Sequence, residues 1–190
     1  MADGVRHAQP GEGARLATVF LSSGRAAWAR HLSPVGLEGV RSPPEEWEEA
    51  ISDPNVLVLV AERRGEVAAL AVFRRSRDED TDSAQVALLD RLYTEPASWR
   101  RGLGRALMEA AMPELAERGF REITLWTAEW NTSRGFYEAS GWALDGATRE
   151  QNFAGATYTE VRYRTVVRPG GTPIAQEPPS GEAPSPSTIS

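Results

Sequence analysis

The segment Leu92-Tyr93-Thr94-Glu95-Pro96-Ala97-Ser98-Trp99-Arg100-Arg101-Gly102-Leu103-Gly104-Arg105-Ala106-Leu107 holds the chemistry that the sequence displays most openly. An apolar strand gives way to a polar loop, and two glycines open a helix. Glycine lets the backbone curl until successive N–H groups converge on one anion. The helix N-terminus adds its partial positive charge. Arg100, Arg101 and Arg105 set guanidinium groups around the same point, and these suit bidentate contacts to phosphate. The segment is therefore either a phosphate cradle or a glycine-assisted helix start with solvated arginines. A dinucleotide turn fits poorly. It wants a small residue where Leu107 stands and a tight strand-to-glycine turn where Glu95 to Arg101 intervene.

The flanking pattern predicts the elements that must position this loop. A short strand is expected over Val5–Ala8. Leu16, Val19, Phe20 and Ala27 mark one face of a helix running to about Leu32. Ser42-Pro43-Pro44-Glu45 has the form of a second helix start, with Ser42 as the cap and Pro43 in the first position. Two apolar strands, Val56–Ala61 and Val67–Arg75, flank Arg63-Arg64-Gly65-Glu66 as a hairpin. Gln85–Thr94 is a third strand. The helix from Gly102 to Glu117 should end with Gly119 in the C′ position and kink or break near Ala111, because Pro113 lies inside it. Glu122–Thr127 is a strand, Asn131–Ser140 a short helix, and Val161–Val167 a final strand. The interleaved helices and strands define a mixed α/β domain with at least one parallel pair of strands.

Composition narrows the chemistry. All 21 basic residues among the 190 are arginine, cysteine is absent, and His7 and His31 are the two histidines. Without lysine there is no Schiff-base chemistry and no Walker-type phosphate loop. Without cysteine there is no thiol nucleophile and no Cys-ligated metal, and no metal site is expected. No serine sits in a Gly-x-Ser-x-Gly elbow. The net charge of −6 argues against nucleic acid or an anionic membrane as a partner. The polar start and short apolar runs point to a soluble cytoplasmic protein. Residues 1–167 form the expected domain. Residues 168–190, which hold six of the 13 prolines, read as a disordered tail. Asp78-Glu79-Asp80-Thr81-Asp82 lacks the glycine and glutamate of a calcium loop and is read as a solvated turn.

Arg100-Arg101-Gly102-Leu103-Gly104 matches the last five positions of Gln/Arg-x-x-Gly-x-Gly/Ala, with Trp99 in the first. Further on come Asn131, Phe136-Tyr137 and Gly141-Trp142, in that order after a strand. In both segments the sequence resembles the GNAT superfamily of N-acetyltransferases. The resemblance implies a central, mostly antiparallel sheet flanked by helices, with one parallel strand pair splayed around acetyl-coenzyme A. It implies direct transfer of acetyl from acetyl-CoA to a primary amine of a small molecule or protein. Arg100, Arg101, Gly102, Leu103, Gly104, Arg105 and Ala106 would cradle the pyrophosphate. Leu92, Tyr93 and Thr94 would bond the pantetheine amides through their backbone, with Asn131 and Phe136 alongside. Tyr137 would be the general acid. Asp90, Glu95 and Glu129 lie near strand ends where a base could sit, and Asp90 and Glu95 are the two carried forward. Trp28, His31 and Trp130 could face the acceptor. A silent acyl-CoA sensor is the alternative reading, and a homodimer is left open.

Overall fold

The computed structural model describes residues 4–168. One sheet of seven strands runs through it in the order β1-β2-β3-β4-β5-β7-β6. The strands are β1 (Val5–His7), β2 (Leu57–Arg63), β3 (Glu66–Arg75), β4 (Val86–Thr94), β5 (Glu122–Ala128), β6 (Ala143–Phe153) and β7 (Ala156–Val166). The helices are α1 (Gly13–Trp28), α2 (Pro34–Gly39), α3 (Pro44–Ser52), α4 (Leu103–Glu117) and α5 (Arg134–Ala139), and one turn of 3-10 helix covers Pro96–Ser98. All neighbouring strands are antiparallel except β4 and β5.

Helices cover both faces of the sheet, which is why its central strands are apolar runs rather than alternations. Leu57, Leu59, Ala69, Ala71 and Phe73 pack with Leu107, Ala111 and Leu115 of α4. Val58, Val60, Leu70 and Val72 pack with Leu16, Val19 and Trp47 of α1 and α3. The expected β2–β3 hairpin closes through Arg64 (φ 57°) and Gly65 (φ 82°), the left-handed pair of a tight two-residue turn.

Gly119 ends α4 as expected. Its N–H donates to Ala116 and that of Phe120 to Leu115, the doubly bonded stop of a Schellman motif. The expected break near Ala111 is absent: α4 runs unbroken to Glu117. Glu109 and Pro113 are both exposed, so water can take the carbonyl that proline leaves unpaired. The second helix start also differs. Pro43 is the N-cap, and Ser42 Oγ instead accepts from Trp47 Nε1 at 2.7 Å. The first helix ends at Trp28, earlier than expected, and α2 follows with Ser33 as its cap. The final strand is longer than its apolar alternation, starting at Ala156, and it pairs with the unforeseen β6.

The Asp78–Asp82 turn is more than solvated. Arg162, with 4% of its side chain exposed, pairs with Asp78 at 3.2 Å, Asp80 at 2.5 Å and Asp145 at 2.7 Å. The guanidinium supplies the cation for these carboxylates and ties the β3–β4 connection to β7. The disordered tail expected for 168–190 falls, beyond Arg168, outside the described residues. Among the described residues no helix is long and apolar enough to cross a membrane.

Candidate functional site: a strand gap beside an uncapped helix

The parallel strands β4 and β5 are paired only at Val86–Leu88 against Glu122–Thr124. Beyond that they part, although β4 continues to Thr94 and β5 to Ala128. The cause lies in β4. Against β3, Val72 opposes Arg91 while Phe73 opposes Leu89, so Asp90 is the extra residue of a β-bulge. A bulge bends its strand and sharpens the local twist. Here it does so just past the last β4–β5 pair. On the far side, β5 stays paired with β7 through Ala128. Leu92, Tyr93 and Thr94, all half-buried, thus present one backbone edge with no strand against it.

The glycine loop lies at the same end of the sheet. Arg100 (φ 58°) and Gly102 (φ 81°) are both left-handed. A left-handed arginine costs about 1 kcal/mol, strain of the kind that marks functional loops. Gly102 is the N-cap of α4 and no side chain caps the helix. Its carbonyl accepts from Ala106 N–H at 2.9 Å, so Ala106 closes the first turn. Among the described residues, the amides of Arg100 through Arg105 donate to no protein acceptor. Arg100, Arg101 and Arg105 are exposed, and among the described residues none of them pairs with a carboxylate. This is a cluster of unspent donors around a helix N-terminus, a setting for a phosphate-type anion.

Two contacts hold the cradle in place. Trp99 Nε1 donates to the carbonyl of Thr94 at 2.6 Å, fastening the loop to the strand end. A Cβ built on Gly104 would lie 3.4 Å from Phe136 Cζ, so α4 and α5 meet at this glycine. The sequence pointed to a glycine at 104 for the backbone curl; its packing on Phe136 was not legible from the motif.

Tyr137 follows Phe136 on α5, with 8% of its surface exposed. Burial pushes its hydroxyl up to about 12. That hydroxyl makes no hydrogen bond among the described residues, which leaves its proton available. The Tyr93 hydroxyl is also raised by burial. The α5 helix is anchored through Tyr163, which donates to Glu138 at 2.6 Å and accepts from Arg134 Nε at 2.9 Å.

Both favoured carboxylates are paired with arginine. Asp90 Oδ2 lies 3.1 Å from Arg74 Nη2, and Glu95 Oε1 lies 2.8 Å from Arg15 Nη1. Glu129 is exposed. Asn131 spends much of its amide locally, donating to Thr127 Oγ1 at 2.7 Å and accepting from Ser133 N–H at 2.9 Å. Glu160 was missed by the sequence reading. It is 9% exposed on β7 and pairs with Arg149 of β6 at 2.7 Å. Its signal was an Arg/Glu pair across a hairpin whose first strand had not been recognised.

The family model described as Acetyltransferase (GNAT) family matches residues 26–142, more than half of the chain. The chain belongs to this acetyltransferase family. No curated protein sequence matches it. Among solved structures, it is similar to the PaiA N-acetyltransferase of Thermoplasma acidophilum in complex with coenzyme A. That likeness has a TM-score of 0.72 at 18% identity and covers 87% of this chain and 99% of the other. YncA from Salmonella typhimurium, solved with acetyl-CoA, superposes with a TM-score of 0.69 at 20% identity over 93% and 100% of the two chains. The ribosomal-protein-S18-alanine N-acetyltransferase of Escherichia coli gives 0.66 at 16% identity over 92% and 100%. At these identities the likeness is one of fold.

Proposed function

We propose that the chain transfers an acetyl group from acetyl-coenzyme A to a primary amine. The observation that carries this reading is the gap after Leu88 and Thr124, with the unspent amides of α4 at the same end of the sheet. The coenzyme A and acetyl-CoA in two of the structural neighbours support the choice of donor. When bound, acetyl-CoA would bring an acyl group activated as a thioester.

In this reading the residues divide the work by chemistry. The amides of Gly102, Leu103, Gly104 and Arg105 and the guanidinium groups of Arg100, Arg101 and Arg105 hold the pyrophosphate, and Ala106 closes the turn behind them. The free backbone edge of Leu92–Thr94 bonds the amides of the pantetheine arm. Asn131 has one amide hydrogen left for it, and Phe136 keeps the two helices at the right separation. Tyr137 holds a proton at Oη at neutral pH and gives it to the leaving sulfur. A phenol raised to about 12 is a weak acid for this task. A thiolate in the same dry surroundings is raised too, which narrows the mismatch. Asp90, set by its bulge at the point where the strands part, or Glu95 at the strand end takes the amine's proton, directly or through water.

Incubation with acetyl-CoA and a panel of primary amines, with free thiol and acetylated product both measured, tests this function. Amine-dependent thiol release is expected. Tight coenzyme A binding with no turnover on any amine would instead fit a silent acyl-CoA sensor.

A further inference from the structure

Five half-buried aromatic side chains and one exposed histidine ring lie on elements at the end of the sheet where β4 and β5 part. Trp28, in the last turn of α1, meets Tyr93 of β4 edge-on at 6.3 Å and Phe153 of β6 at 5.0 Å. Trp130, just past β5, stacks on His31 with 4.0 Å between centroids and a 13° interplanar angle. It also meets Tyr158 of β7 at 5.6 Å. These rings come from α1, β4, β6, β7 and the segments after α1 and β5, in two groups: Trp28 with Tyr93 and Phe153, and Trp130 with His31 and Tyr158. The contrast with the core tryptophans is clear. Trp47 and Trp142 are 1% and 4% exposed, whereas Trp28 and Trp130 keep part of their surface open. An open groove of about 490 Å³ between α2 and the Ala154–Gly155 turn shares Phe153 with the cluster.

Three carboxylates near these rings are paired with arginine. Asp90 is held by Arg74, Glu95 by Arg15 and Glu160 by Arg149. Arg91 lies over the faces of Trp47 and Phe20, at 4.6 and 5.9 Å. Arg149 lies over Trp126 at 4.3 Å. Glu129, directly before Trp130, is exposed and makes no ion pair among the described residues. What the ring offers is apolar, polarisable surface, which favours a flat or apolar side group by stacking and burial.

We propose that the acceptor is an amine carrying an aryl group, seated among Trp28, Tyr93, Trp130, Phe153 and Tyr158 with its amine toward the gap. This rests on the acetyltransferase reading above. The aryl group stacks within the ring while the uncharged amine attacks the thioester carbonyl. The C–N bond forms, the C–S bond breaks, the amine's proton leaves to a carboxylate or water, and the sulfur takes a proton.

The test uses the full chain with acetyl-CoA and four acceptors: 2-phenylethylamine, tryptamine, spermidine and an alanine-starting peptide. Acetylated products are quantified by mass spectrometry, and coenzyme A binding is measured separately by calorimetry. The expected kcat/KM for the two aryl amines exceeds that for spermidine and the peptide by at least tenfold. Trp130→Ala should raise the aryl-amine KM at least fivefold while the KM for acetyl-CoA moves less than twofold. Trp130→Phe should recover most of that loss. Preference for spermidine or the peptide overturns the proposal, as does coenzyme A binding without transfer to any of the four. Failure to bind coenzyme A overturns the reading beneath it.

Discussion

The indole Nε1 of Trp99 donates to the carbonyl oxygen of Thr94 at 2.6 Å, so the residue that precedes the arginine–glycine loop is tied to the last residue of β4. The bond spans the 3-10 turn Pro96–Ser98, within which Trp99 N–H also donates to Pro96. It fixes the distance between the free strand edge and the cradle. In the proposed function both contact a single long ligand, so this distance matters to binding. Trp99→Phe keeps the ring and removes the N–H. It should cost about 1 kcal/mol of stability, as for one lost hydrogen bond, and raise the calorimetric Kd for coenzyme A several-fold.

Gly102 is left-handed at φ 81°, and an alanine there is strained by about 1 kcal/mol whatever the space around it. At Gly104 the constraint is steric, since the neighbouring ring atom of Phe136 already lies at contact distance from a Cβ. Gly104→Val should therefore push α5 away and cover the amides. Coenzyme A affinity is expected to fall at least tenfold in Gly104→Val and less in Gly102→Ala, measured by titration calorimetry alongside thermal melts.

Tyr137 gives a pH prediction with a definite sign. Its hydroxyl ionises near 10 in an unfolded chain and about 12 in the fold, because burial disfavours the phenolate. The protonated side chain is compatible with the fold at every pH below 10. Stability tied to it is lost as pH rises from about 10 through about 12. Denaturant midpoints measured across that window should fall for the native chain, and less for Tyr137→Phe. The same variant should lower kcat at least tenfold at neutral pH if Oη supplies the proton.

Arg162 makes the opposite prediction at low pH. Its three aspartate partners link β7, β6 and the 76–85 connection. Asp80 is held down to about 2 by its hydrogen bond to Arg162, and Asp145 is also lowered by its arginine and backbone bonds against the cost of burial. Depressed carboxylates stabilise above their unfolded values near 4, and that contribution is lost as pH falls toward 2. Arg162→Met, which leaves Asp78 without its arginine and Asp145 with Arg164 alone, should cost on the order of 3 kcal/mol in urea unfolding at pH 7.

Gly24 controls a ring in the proposed acceptor cluster. A Cβ there would sit 2.5 Å from Trp28 Cζ3. Gly24→Ala, although favourable for helix propensity, should displace Trp28 from Tyr93 and Phe153. The expected result is a raised aryl-amine KM with the acetyl-CoA KM nearly unchanged, read from initial rates.

The parts of the fold that were legible in the sequence are those where one local rule acts alone. The β2–β3 hairpin followed from two apolar runs around Arg64-Gly65. The end of α4 followed from Gly119. The start of α4 followed from the glycines that open it. The strand β6 was not legible, because an edge strand exposed along most of its length carries no apolar alternation. The Ser-Pro signal was assigned to Ser42 when Ser33-Pro34 shows the same pattern and Ser33 is the residue that caps its helix, accepting from Gly36 N–H at 3.0 Å. The gap was expected only through the family resemblance, since the Asp90 bulge arises from register against β3 and leaves no local signal. The arginine partners of Asp90 and Glu95 come from β3 and α1, distant in sequence, so spacing could not pair them.

Isotope-labelled acetyl-CoA gives the most direct test of acyl transfer to an amine. The full chain is incubated with labelled acetyl-CoA and 2-phenylethylamine, and the acetylated amine and free coenzyme A are quantified together by mass spectrometry. Labelled N-acetyl product is expected to appear in step with free thiol, and to be strongly reduced in Tyr137→Phe. Saturable coenzyme A binding with no labelled product from this or any other primary amine would contradict it.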